Sequence, residues 1–233
     1  DVERWRVINA CTSRYLTLAV DTPEVRLVAM DHQRLAQPRD AGRILLAPGN
    51  RAELLVTIAE GTTPIRTDGY DRGSPMMGMM GGASGLSGPG LLATIAATGA
   101  PTAVSQPLAP APASPDLRRR TPDRSRDLTL TMAMSPGMGM LFGFDGRSFD
   151  HARTAQRVRS GDLEEWTIHN PTGMDHPFHL HVWPMQQIDV NGTPEAEATW
   201  RDVVNIPAGG QVTVRIDFAG ITGRTVYHCH ILD

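Results

Sequence analysis

The chain contains no lysine: all 22 of its basic residues are arginine. Against 25 acidic residues the formal net charge is −3, so the charge balance gives no argument for nucleic acid or an anionic membrane as a partner. A uniform choice of arginine reads as a GC-rich coding sequence rather than a mechanism. Cysteine is nearly as scarce, occurring only at Cys11 and Cys229. Those two could pair, but Cys11 follows Asn9-Ala10 in an apolar strand context and reads as a small buried residue, whereas Cys229 sits between histidines. No apolar run is long enough to cross a bilayer as a helix. No secretory leader is visible either, an absence without meaning if the chain begins mid-protein.

What is present divides the 233 residues into two strand-rich stretches and a connector. Residues 1–98 carry short apolar runs, among them Val25 to Met30 and Ala52 to Ile58, broken by turn signals at Asp31-His32, Pro48-Gly49-Asn50 and Glu60-Gly61. Residues 99–126 shift to Pro, Ala, Ser and Thr followed by Arg118-Arg119-Arg120, the composition of a solvated linker. Residues 127–233 resume the strand pattern, with runs expected at Gln156 to Arg159 and Arg224 to His230 among others. Alternation is clearest in Val212-Thr213-Val214-Arg215-Ile216-Asp217-Phe218, where every second residue is apolar. Short strands at these intervals predict an all-β protein of two sandwiches or barrels.

The chemistry is concentrated near the C-terminal end. His228-Cys229-His230 places a thiol between two imidazoles; in an extended chain side chains alternate faces, so the histidines point one way and the cysteine the other. A thiolate with imidazole partners is the ligand set of an electron-transfer copper, and paired imidazoles on the opposite face suit a second, oxygen-handling centre. Upstream, His176-Pro177-Phe178-His179-Leu180-His181 puts three of the chain's eight histidines into six residues. His179 and His181 share a face, and Pro177 fixes the backbone so that His176 can serve a different metal. Taken singly, an H-x-H pair is also a surface feature or a zinc site; the two segments together point to copper.

The pair resembles the copper-binding signatures of the multicopper oxidases, the laccase and cuprous oxidase family. The resemblance implies two cupredoxin-like Greek-key β-sandwich domains, the first without copper and the second, 127–233, holding it. It implies that His176, His179 and His181 serve the type 1, type 2 and type 3 coppers in turn, that Cys229 is the type 1 thiolate, and that His228 and His230 are type 3 ligands. Electrons taken from a phenolic or Cu(I) donor would then pass through Cys229 to His228 and His230, and O2 would be reduced to water, with about four coppers in a complete enzyme. Two features depart from the pattern. The family's second type 1 histidine and axial methionine would fall beyond Asp233, and no H-x-H pair precedes His176, since His32, His151 and His169 are isolated. Trp5-Arg6-Val7-Ile8-Asn9-Ala10 resembles the interior of the family's middle domain. The expectation is therefore the C-terminal two domains of a three-domain enzyme, partnered by its own N-terminal domain and working outside the cytoplasm, in the periplasm or secreted. The alternative is a non-catalytic copper-binding or structural cupredoxin protein.

Methionines form the last candidate set. Met76, Met77, Met79 and Met80 sit among glycines without helical or strand spacing, and Met138 and Met140, with Met132 and Met134, flank Ser135-Pro136-Gly137. Thioethers favour cuprous ions, so both groups are candidates for handling Cu(I), against the plainer reading of a flexible apolar loop. Asp175, His169 and the Trp200-Arg201-Asp202 stretch read as structural, and Met174 and Trp183 as walls beside the ligand segment.

Overall fold

A computed structural model describes residues 1–73, 86–99, 109, 111–112, 114–135 and 139–232. The chain separates into two compact units, one formed by 1–72, 84–114 and 231–233, the other by 73–83 and 115–230. The all-β expectation holds: nineteen strands and one short 3-10 turn account for the described regular structure.

In the first unit the strands are β1 (Val2–Ile8), β2 (Leu16–Val20), β3 (Val25–Met30), β4 (Gln33–Asp40), β5 (Ile44–Leu46), β6 (Arg51–Thr57), β7 (Gly61–Asp68), β8 (Tyr70–Asp71), β9 (Leu86–Ser87) and β10 (Gly90–Ala97). Two four-stranded sheets, ordered β1-β6-β3-β4 and β10-β7-β2-β5, enclose one core. Strand β6 shows why: Ala52, Leu54 and Val56 point inward at period two while their neighbours do not. Asp31 adopts φ +48 in the tight turn from β3 to β4, the left-handed backbone that a two-residue hairpin requires and that aspartate tolerates.

The second unit contains β11 (Arg124–Ser135), β12 (Gly139–Phe144), β13 (Leu163–His169), β14 (His176–Leu180), β15 (Met185–Val190), β16 (Thr193–Arg201), β17 (Val203–Ile206), β18 (Gln211–Asp217) and β19 (Tyr227–Cys229). A six-stranded sheet, β12-β11-β13-β18-β15-β16, faces a three-stranded one, β17-β14-β19. Val212, Val214 and Ile216 from the larger sheet and Phe178, Leu180, Val204 and Ile206 from the smaller meet in a single buried cluster, the sandwich core. Burying a side chain of this size contributes roughly 1.5–3 kcal/mol, and it is this shared core that fixes β14 and β19 as a platform.

Three details differ from the sequence reading. Residues expected in the linker from 115 onward belong to the second unit: Leu117 is buried, Trp200 Nε1 donates to the Pro115 carbonyl (3.1 Å), and Arg215 Nη1 donates to the carbonyls of Leu117 and Arg120 (2.8 and 2.9 Å). One buried leucine and hydrogen bonds to backbone carbonyls seat the segment, and composition averages the first away and does not register the second. Gln156 to Arg159 form no strand; instead the Gln156 side chain and the Arg157 carbonyl accept hydrogen bonds from Arg126. The last strand is confined to Tyr227–Cys229.

Candidate metal centre

Strand β14 lies between β17 and β19, antiparallel to both. Its register places His179 opposite His228 and Phe178 opposite Cys229. Residues that face each other across a ladder lie on the same side of the sheet, so one side carries His179 and His228 and the other Phe178 and Cys229. Alternation adds His181 and His230 to the first side and His176 to the second. The His230 amide donates to the Pro177 carbonyl (2.7 Å), carrying the register past the end of β19.

On the first side, ring nitrogens of His179, His181 and His228 all lie within 4.8 Å of one another. His181 Nε2 and His228 Nε2 are 3.1 Å apart, a separation at which two lone pairs repel unless a proton or a cation lies with them. Two backbone carbonyls set the tautomers: His179 Nδ1 donates to Asp202 O (2.6 Å) and His228 Nδ1 to Cys229 O (2.9 Å), which leaves each neutral ring with a bare Nε2. His230 Nδ1 is buried and has no hydrogen-bond partner among the described residues, a costly arrangement for a polar atom without a ligand. Its ring centroid lies 5.6 Å from those of both His179 and His228. Burial lowers the pKa of His179 and of His181, and at His181 the nearby His228 and His230 add to the effect. Both rings are thereby biased toward the neutral form that binds metals.

On the second side, His176 is buried and its Nδ1 lies 3.3 Å from Cys229 Sγ. The opposite ring nitrogen, Nε2, lies 3.0 Å from Thr172 Oγ1. A thiol and an imidazole nitrogen at this separation can share one soft or borderline cation, and a neighbouring cluster of imidazoles suits copper better than oxygen-seeking ions. The orphaned His230 nitrogen, the converging bare Nε2 atoms and this sulfur–nitrogen pair are together a donor set that fits copper ions.

All six candidate ligands therefore gather at β14 and β19, in two groups on opposite sides of one small sheet. Other candidates lie elsewhere. Met76, Met77, Met79, Met80 and Met138 are outside the described residues, and Met140 is in β12, opposite Met134, which is exposed. Trp183 packs against Phe218 in the core. Asp175 anchors the turn after β17 through the Ala208 amide (2.8 Å) and Asn205 Nδ2 (3.2 Å), and His169 pairs with Asp127 (2.8 Å). Sequence reasoning overlooked Asn170 and Thr172, which look like ordinary turn residues, and the Asp202 carbonyl, which no side-chain pattern can signal.

Residues 119–233 match the family described as multicopper oxidase. A laccase of Haloferax volcanii is 26% identical over 249 residues, an alignment that takes in 99% of this chain and 42% of the relative. The cell division protein FtsP of Dickeya dadantii is 26% identical over 236 residues, covering 99% of this chain and 48% of its own length. The fold is similar to that of a Campylobacter jejuni multicopper oxidase described as a metallo-oxidase, with a TM-score of 0.79 at 24% identity over 98% of this chain and 50% of that one. The chain spans less than half the length of these curated relatives.

Proposed function

The chain belongs to the multicopper oxidase family, and on that premise we propose that it is the copper-binding part of an oxidase that couples one-electron oxidation of phenolic or other aromatic donors, or of Cu(I), to reduction of O2 to water. In this reading His176 and Cys229 hold the type 1 copper, while His179, His181, His228 and His230 supply half of the oxygen-handling cluster. The other half, and the rest of the type 1 set, come from further parts of the same polypeptide, chiefly an N-terminal domain. Copper, when bound, supplies the one-electron steps that neither a thiol nor an imidazole provides alone.

The protein's own part is orientation. Asp202 O and Cys229 O hold the rings of His179 and His228 so that Nε2 is the free donor atom, and desolvation favours the neutral form of His179 and, less strongly at its exposed position, of His181. Cys229 is joined by single peptide bonds to both His228 and His230, so the two groups of ligands stay within one residue of each other whatever else moves. The observation that carries the reading is the split itself: sulfur with one imidazole on one side, and on the other three converging imidazoles with the His230 ring beside them.

Copper content and oxygen uptake of the full-length protein test it. About four coppers per chain, with O2 consumed on addition of a phenol or of Cu(I), is the expected result; the faster donor identifies the substrate class. One copper without O2 uptake describes an electron carrier, and none describes a scaffold; either outcome overturns the oxidase. Fractionation of cells producing the full-length protein tests the accompanying proposal that it works in the periplasm or is secreted.

A further inference from the structure

His176 can offer Nδ1 to a metal shared with Cys229 only if that nitrogen carries no proton, and the hydrogen bonds behind the ring decide where the proton sits. Asn170 is 1% exposed, and its Nδ2 faces three carbonyls, those of Met174 (2.8 Å), Ile206 (3.0 Å) and Pro207 (3.0 Å). A carbonyl oxygen could not face three other carbonyls, so the NH2 group lies there with its two protons shared among them, the amide orientation is fixed and Oδ1 is an acceptor. That oxygen accepts the Thr172 amide (3.1 Å) and lies 2.7 Å from Thr172 Oγ1. The Met174 carbonyl, 3.1 Å from the same hydroxyl, is again an acceptor. Thr172 has a single hydroxyl proton. Given to His176 Nε2, 3.0 Å away, it would leave Oγ1 and Asn170 Oδ1 facing each other lone pair to lone pair at 2.7 Å; given to Oδ1, it leaves Oγ1 to accept from Nε2. Nε2 must then carry the ring proton, and Nδ1, 3.3 Å from Cys229 Sγ, is bare.

We infer that Asn170 and Thr172 form a positioning relay that locks His176 in its Nε2-protonated tautomer, presenting a bare Nδ1 to a metal shared with Cys229. The inference rests on the reading of His176 and Cys229 as ligands of one copper. Its physical content is pre-organisation: with the relay in place the ring needs no proton shift and no rotation to bind. Without it, Nε2–H loses the Thr172 acceptor and the relay no longer favours one tautomer over the other. Outer-sphere partners of this kind are worth roughly ten- to hundredfold in metal affinity.

The test uses the full-length protein labelled with 15N-histidine. Two-bond proton–nitrogen correlation on the metal-free form reads the tautomer of His176, assigned by its loss in His176→Gln, and Cu(II) titration follows the thiolate absorption band. Thr172→Val keeps the shape and removes the acceptor; Thr172→Ser keeps the hydroxyl and controls for effects on the turn. The parent and Thr172→Ser are expected to show the Nε2-protonated ring, and Thr172→Val a mixture with Cu(II) bound at least about tenfold more weakly. A Thr172→Val protein with the parent's tautomer and the parent's affinity overturns the relay. A parent that shows the expected tautomer but develops no thiolate band with Cu(II) supports the hydrogen-bond relay and overturns the copper reading, so the two failures are distinguishable.

Discussion

His179 stands directly opposite His228 across the β14–β19 ladder, and one rung away Phe178 faces Cys229. Because side chains alternate with a period of two, a slip of one residue would exchange the two sides and drop the sulfur among the imidazoles. The sandwich core prevents it, since Phe178 and Leu180 are buried on the face that Cys229 shares. Packing of apolar residues and separation of metal ligands are thus one constraint.

That constraint predicts a double dissociation. His179→Ala removes a ligand from one side of the sheet and is expected to lower the copper content while leaving the blue thiolate band. Cys229→Ser is expected to abolish the band and leave copper at the imidazole cluster. Copper analysis and visible absorption on the same full-length samples check both. If either substitution removes both signals, the two groups of ligands are not separate sites.

Gly73 forms a bridge to Met174 with φ +85, and a Cβ there would lie 2.1 Å from the Gly173 carbonyl oxygen. Backbone cannot yield as a flexible side-chain tip can. Gly73→Ala is therefore expected to destabilise the fold by about 3 kcal/mol, combining left-handed strain with a clash against the turn that leads into His176. Gly146 provides the control: its φ is +73 and nothing lies within 4 Å of the same hypothetical atom, so Gly146→Ala should cost only about 1 kcal/mol. Denaturant unfolding of the two variants measures the difference, and equal losses would refute the steric part.

The candidate site was more legible in the sequence than the strands at the sheet edges. His176, His179, His181, His228, Cys229 and His230 are rare residue types in dense clusters, and period-two alternation sorts them without knowledge of the fold. The same alternation identified Val212 to Phe218 as a half-buried strand. Edge strands carry no such signal: β4 contains Pro38 and several charges, and β12, among the described residues, is an edge paired only to β11, so their partners rather than their composition make them strands. The turn between β15 and β16 has Asn191 at φ +53 and Gly192 at φ +81, the backbone of an Asn-Gly hairpin turn. Thr172 carries no such local signal, because its role depends on which atoms surround one hydroxyl.

Glu164 is fully buried, and its carboxylate accepts Trp166 Nε1 (2.8 Å) and the Arg126 guanidinium (2.8 Å to Nη2). Arg126 also donates to Gln156 Oε1 (2.9 Å) and Arg157 O (2.7 Å). Removing only the arginine strands a buried charge, so Arg126→Met should destabilise by about 3 kcal/mol or more. Adding Glu164→Gln removes the stranded charge and keeps an acceptor for Trp166, so the double variant should recover part of that loss. Chemical denaturation of the four proteins in the cycle gives the coupling; strict additivity would show that the pair is not an electrostatic unit.

Asp116 caps the short 3-10 turn Leu117–Arg119 by accepting the Arg118 amide (3.1 Å), and it also accepts Arg118 Nη2 (2.7 Å) and Gln186 Nε2 (2.8 Å). The Arg118 guanidinium, helped by the Gln186 and backbone hydrogen bonds, holds this carboxyl well below its ordinary value of 3.8. As the pH falls, the unfolded chain takes up the Asp116 proton before the folded one does, so stability contributed at neutral pH is lost on the acid side of the ordinary value. Asp116→Asn should therefore be less stable than the parent near neutrality and lose less stability between about pH 5 and pH 3. Denaturant midpoints measured across that range provide the check. Parallel parent and variant curves would mean that the segment is held by Leu117 and by the Trp200 and Arg215 hydrogen bonds to its carbonyls, with the ionised cap contributing nothing.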